Sequence, residues 1–207
     1  LVKNVNSGST WYKIQDAIDN ASSADTLQIW AWTYSENVEV DESISIIGNG
    51  TSNTTLNITS GKGFDISSDD VTISNIMVKG CGSSLGHNAF QIAGDDVTVE
   101  NVVGKDCSKG ISISGSGAWV SNSTFSNNHL SGVEIWVGDS STTAVTLYSN
   151  NVWWNGNHGI RALEDDVIIK NNNIRNNTLD GFNCAGAEDS LIENNTIVDN
   201  GDDGIEI

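Results

Sequence analysis

The stretch Val71-Thr-Ile-Ser-Asn75 alternates apolar and polar side chains and stops on an asparagine. The same unit returns as Val97-Thr-Val-Glu-Asn101, Ala118-Trp-Val-Ser-Asn122, Val145-Thr-Leu-Tyr-Ser149, Val167-Ile-Ile-Lys-Asn171 and Ser190-Leu-Ile-Glu-Asn194. Successive copies are 26, 21, 27, 22 and 23 residues apart. A period of two marks a half-buried strand, and its return at such spacing marks a solenoid. A strand this short cannot hold a sheet alone. Stacked about 4.8 Å from its copies it forms a continuous parallel sheet.

Other columns run beside the first. Three residues after each asparagine position stand Val78, Gly104, Phe125, Val152, Ile174 and Ile197. A Gly-apolar-x-apolar strand then closes most coils, as in Gly110-Ile-Ser-Ile113, Gly132-Val-Glu-Ile135, Gly159-Ile-Arg-Ala162, Gly181-Phe-Asn-Cys184 and Gly204-Ile-Glu-Ile207. These columns predict an all-β chain, a single-stranded right-handed parallel β-helix. Asn75, Asn101, Asn122, Asn171 and Asn194 are expected to form an inward ladder, each amide bonding backbone and the amides above and below.

The N-terminal segment breaks the pattern. Ile14, Ala17, Ile18 and Ala21 fall on one helical face. Residues 1–25 are therefore expected to cap the open end with a short helix, and residues 26–207 to form the coils. The final strand ends at Ile207 without a recognisable cap, which predicts a chain that continues, or a coil covered by self-association or a further domain.

The 207 residues carry a net charge of −18, with 27 acidic and 9 basic side chains. Such a chain repels nucleic acid, and no apolar run is long enough to insert into a membrane. The acidity is consistent with solubility or with divalent cations. Asp70 and Asp96 precede strands in adjacent coils, as do Asp166 and Asp189, with Asp69, Asp95, Asp165 and Glu188 beside them. Stacked like charges cost energy unless bridged, so the four aspartates are candidate calcium ligands, with solvated turn carboxylates as the alternative.

Cys81 and Cys107 occupy one column in consecutive coils, a separation suited to a disulfide and to an extracellular or cell-surface setting. Two buried thiols are the alternative. Cys184 sits at a core position. Among the Asn-x-Ser/Thr sequons, Asn53 and Asn57 are read as lying in a turn insertion and as the best glycosylation candidates, whereas Asn122 and Asn194 are read as inward.

Ile14-Gln-Asp-Ala-Ile-Asp-Asn-Ala21, Asp25-Thr-Leu-Gln-Ile29, Thr33-Tyr-Ser-Glu-Asn37 and Ser43-Ile-Ser-Ile-Ile-Gly-Asn-Gly50 resemble the N-terminal cap and first coils of pectin-lyase-like proteins. The later Asn-Asn-x-x-x-Gly-Ile units resemble the repeats of carbohydrate-binding and sugar-hydrolysis surface proteins of archaea and bacteria. The resemblance covers the whole chain and implies a fold shared by lyases, hydrolases, epimerases, adhesins and structural proteins. Motifs of individual enzymes do not carry over. The chain has no proline for an epimerase Asp-Pro-His, only two arginines, Arg161 and Arg175, toward the Arg or Lys base of a pectate lyase, and Asn157-His158-Gly159 without the aspartate pair of polygalacturonases.

The outward columns still bring chemistry together. Before the strand glycine stand Lys109, Ser131, His158, Asp180 and Asp203, and two residues beyond it Ser112, Glu134, Arg161, Asn183 and Glu206. His158, Arg161, Asp180 and Asp203 are the candidate catalytic set for acid–base work on a sugar. Glu134, Glu206 and the aromatic Trp136, Trp153 and Trp154 are candidate substrate contacts. A solvated face with a Glu134–Arg161 ion pair is the plain alternative. The sequence favours a surface or secreted module for structure, adhesion or contact with a polysaccharide or cell-surface glycan, over a polysaccharide lyase, hydrolase or epimerase.

Overall fold

The computed structural model describes residues 1–137, 143–163, 165–184 and 189–207. Alternation in the repeated units produces strands of two to four residues, stacked into three walls. The first wall carries the units read above: Ile73 pairs with Val99, Val99 with Val120, Val120 with Leu147, Leu147 with Ile169 and Ile169 with Ile192. The second wall runs from Trp32–Tyr34 to Thr196–Val198, and the third from Val38–Val40 to Ile205–Glu206. Strands within the second and third walls are parallel to their copies, so each turn of chain adds one rung to every wall.

Inward residues form vertical rows. Val71, Ile73, Val97, Val99, Val120, Leu147 and Ile169 are fully buried on the first wall, and Phe64 stacks on Phe90 at 5.8 Å between ring centroids. Burying a side chain of this size contributes roughly 1.5–3 kcal/mol before conformational costs.

From Asp70 onward, corners between walls recurrently carry a residue at positive φ. Asn75, Asn101, Asn122, Ser149, Asn171 and Asn194 occupy the corner after the first wall, with φ of 49–60°. Asparagine tolerates this left-handed conformation better than most side chains. That role corrects the expected inward ladder. A left-handed residue breaks the alternation, so its own side chain turns outward and the next one turns in. Asn101, Asn122, Asn171 and Asn194 are exposed and Asn75 is half-buried, although Asn101 still donates its amide to Asn75.

The inward amides stand one place further on. The Asn150 N–H donates to Asn172 Oδ1 and the Asn172 N–H to Asn195 Oδ1, both at 2.8 Å. A second ladder fills the next corner, where Asn128 Nδ2 donates to Asn155 Oδ1 at 3.0 Å, Asn155 Nδ2 to Asn177 Oδ1 at 2.9 Å and Asn177 Nδ2 to Asn200 Oδ1 at 3.0 Å. Below it, in the same column, Cys81 and Cys107 are joined by a disulfide, and the Cys107 N–H donates to Asn128 Oδ1. Cys184 is buried and takes no part in the disulfide.

At the N-terminus, Val2–Asn4 joins the first wall antiparallel to Thr26–Ile29. The helix Ile14–Ile18 buries Ile14, Ala17 and Ile18 and stops before Ala21, whose N–H bonds Ile18 O in a turn. Lys13 offers the helix no side-chain cap. Glu36, from the first coil, accepts the N–H groups of Ile14 and Gln15 at 2.9 and 3.1 Å instead. In the last coil Leu191, Val198, Ile205 and Ile207 are exposed.

Candidate functional site

Chain entry into the third wall fixes the side chains of the candidate site. A Cβ on Gly159 would lie 2.4 Å from Ile174 Cγ2, and one on Gly181 would lie 2.3 Å from Ile197 Cγ2. Glycine lets the backbone press onto the second-wall core there, and the residue before it is left at the outer corner. Gly132 N donates to His158 O, Gly159 N to Asp180 O and Gly181 N to Asp203 O, which stacks Ser131, His158, Asp180 and Asp203 in one column. Strand register places Glu134, Arg161, Asn183 and Glu206 in a second column beside it.

The two columns meet at Asp180. His158 Nδ1 lies 2.9 Å from Asp180 Oδ2, with side-chain exposures of 14% and 3%. The same Oδ2 accepts Asn183 Nδ2 at 3.0 Å, and Oδ1 accepts the Asp203 N–H at 3.1 Å. Asn183 Nδ2 also donates to Glu206. Burial works against ionisation of Asp180, yet the Asn183 amide, the Asp203 N–H, Glu206 and His158 together hold its carboxyl below the usual range. Glu206 moves the other way. Its hydrogen bond to Asp180 and the charge there raise it, burial and Asp203 add to the effect, and His158 opposes it. The two carboxyls titrate as a coupled unit, with Asp180 ionised first and Glu206 keeping its proton longer.

The rest of the wall is held by ion pairs. Lys109 contacts Glu134, and Arg161 Nη1 lies 3.7 Å from Glu134 Oε2. Arg161 is thus paired toward Glu134. Trp136 is exposed just beyond Glu134 on this wall. Trp153 and Trp154 are placed elsewhere. Trp153 lies on the second wall with the Arg175 guanidinium 4.6 Å from its ring centroid, and Trp154 stands on the following corner, tilted against Trp153.

The acidic column lines one corner of successive coils. Asp70, Asp96, Asp166 and Asp189 are exposed corner residues at φ of 53–57°. Asp69 Oδ1 accepts the Asp95 N–H and Asp95 Oδ1 accepts the Ser116 N–H, so the neighbouring carboxylates cap backbone of the next coil. Glu188 lies outside the described residues. Among the described residues, the three carboxylates whose oxygens lie within 4.8 Å of one another are Asp180, Asp202 and Asp203. Asn53 lies in an exposed turn, but Asn57 ends the second-wall strand Thr54–Asn57, which corrects its expected turn position. Asn122 and Asn194, read as inward, are exposed.

Asn183 and Asp202 are the site residues that sequence reasoning missed. Asn183 was visible in the outward column but carries no charge of its own, and Asp202 reads as an ordinary turn residue.

Stacked parallel walls, amide ladders and an ionisable outer face define a β-helical solenoid. Residues 62–207 match the family described as right handed beta helix region, and the chain belongs to that family. No curated protein matches the chain. Among solved structures, the Agl-KA catalytic domain is similar at a TM-score of 0.74 and 20% identity, over 86% of this chain and 37% of that one. This chain therefore spans little more than a third of that domain. The Azotobacter vinelandii mannuronan C-5 epimerase AlgE4 A-module aligns at 0.63 and 18% identity, over 91% of this chain and 73% of that one. The tailspike protein gp49 of Acinetobacter baumannii bacteriophage Fri1, a capsular polysaccharide depolymerase, aligns at 0.57 and 12% identity, over 88% and 52%. At these identities the likeness is one of fold.

Proposed function

We propose that this chain acts on a polysaccharide laid along the third wall, with Asp180, Glu206 and His158 exchanging protons with it. The observation that carries this reading is the pairing of Asp180 with Glu206 through Asn183, which drives their proton affinities apart. Two carboxyls tuned in opposite directions supply a base and an acid near one place. Asp203 and Arg161 flank the pair and would hold sugar hydroxyls or a charged substituent. Polysaccharide is the natural ligand class for an extended wall with an exposed Trp136, and the similar structures include an epimerase and a depolymerase of polysaccharides. The Cys81–Cys107 bond supports an extracellular or cell-surface setting.

A second reading is a module that contacts glycan without turning it over. It is favoured by Asp180 itself, whose two oxygens are both engaged internally, as in a structural carboxylate. A glycan-panel assay separates the two. It would follow both retention and product release, with and without calcium, for the wild type, Asp180→Asn and His158→Ala. Product lost in both variants while the fold persists supports the acid–base reading. Retention without product on every glycan supports the second, and equal product from all three proteins removes the pair from the chemistry.

A further inference from the structure

The corner after the second wall has one residue that does not fit its column. From coil to coil the left-handed position reads Gly80, Asp106, Asn127, Trp154, Asn176 and Asp199, with φ between 52 and 78°. Five of these are residues that tolerate such a backbone. Trp154, at φ 52°, is not. A bulky residue held there signals a constraint with a purpose. The ring does not fill the core, because Trp154 is 61% exposed.

The surroundings of the ring suit a sugar. Trp154 lines a depression of about 460 Å³ together with Asn127, His129, Asn176 and Thr178. The side chains of Asn127, His129 and Asn176 are exposed and make no hydrogen bond among the described residues. Donors and acceptors of both kinds thus surround a flat apolar face, which matches a pyranose ring with its apolar C–H face and equatorial hydroxyls. No carboxylate lines the depression, in a chain of net charge −18. The pocket is a neutral island on an acidic molecule, and the surrounding field disfavours uronate units.

We infer that the Trp154 corner is a binding subsite for neutral pyranose units of a glycan. It rests on the polysaccharide reading for the class of polymer and not on the chemistry of the third wall.

The test uses neutral hexasaccharides (cellohexaose, maltohexaose and mannohexaose) with oligogalacturonate as the charged comparison. Binding is read by tryptophan fluorescence and calorimetry, and product formation is read separately. The key variant is Trp154→Asn, because asparagine suits the left-handed corner and removes the ring. The expected result is binding of at least one neutral hexasaccharide, weakened about tenfold or more in W154N, with a melting temperature equal to or above that of the wild type. Full binding by W154N, a melting temperature well below wild type, stronger binding of oligogalacturonate, or no binding of any neutral hexasaccharide overturns the inference. Absence of product with binding intact counts against the third-wall chemistry and leaves the corner subsite standing.

Discussion

His158 and Asp180 occupy the same position in consecutive coils, and the imidazole Nδ1 reaches up across that step to within 2.9 Å of the carboxylate. The carboxylate also accepts a backbone N–H from the coil above. Replacing Asp180 by Asn places an amide NH2 against the Asn183 amide or against the Asp203 N–H. At neutral pH the expected loss is about 1.5–3 kcal/mol, the usual worth of hydrogen bonds to a charged group. The folded carboxyl is lowered, so its contribution is full above the unfolded aspartate value and fades as pH falls through the folded one. Urea titrations should therefore show a gap between D180N and wild type at pH 7 that closes in strong acid. A constant gap would mean that charge is not the cause.

Glu206 has the opposite sign. A carboxyl raised in the folded state stabilises below its unfolded pKa, and that contribution is lost as pH rises through the folded value. Glu206→Gln keeps the geometry and removes the like charge. Its melting temperature should equal or exceed that of wild type at pH 7, with the advantage shrinking as the medium becomes acidic. Lower stability at neutral pH would show that the ionised form is favoured there.

The two asparagine columns predict different costs. Asn155 Oδ1 accepts both the N–H and the side-chain amide of Asn128, and its own amide bonds Phe125 O and Asn177. Asn155→Ala strands several buried groups and should cost about 3 kcal/mol or more in chemical denaturation. Asn122→Ala removes an exposed side chain and leaves alanine in a left-handed corner, at about 1–2 kcal/mol. The reverse order would restore Asn122 to an inward role.

The disulfide closes a sequence separation of 26 residues. Replacing Cys81 and Cys107 by serine should destabilise by about 3 kcal/mol if the chain-entropy account holds. Peptide mapping without reductant should recover the two cysteines in one linked species, with Cys184 labelled only after unfolding.

Strand register was legible because apolar residues at period two recur in register, and an error of one place would bury Thr72 or Glu100 in place of Ile73 or Val99. The grouping of His158, Asp180 and Asp203 was legible for the same reason: a column in sequence becomes a row in space. The asparagine ladder was misplaced by one residue. Periodicity alone does not reveal that Asn75 and Asn122 take a left-handed backbone, which sends Ile76 and Ser123 inward. Nor does it show that Asn183 joins two carboxyls, since that depends on side-chain reach. Glu36 as the cap of a helix 22 residues earlier was likewise invisible, because it requires the first coil to be folded back beneath Ile14.

The Asn128–Asn155–Asn177–Asn200 row has a consequence for how such a molecule can grow. Asn128, Asn155 and Asn177 each take a donor from below and offer one above, so any whole coil copied into the row would find its interior partners ready. Duplication would then lengthen the protein without fresh core chemistry, and each added coil would widen the outer frontage by about 4.8 Å, making the number of coils a ruler for the length of surface on offer.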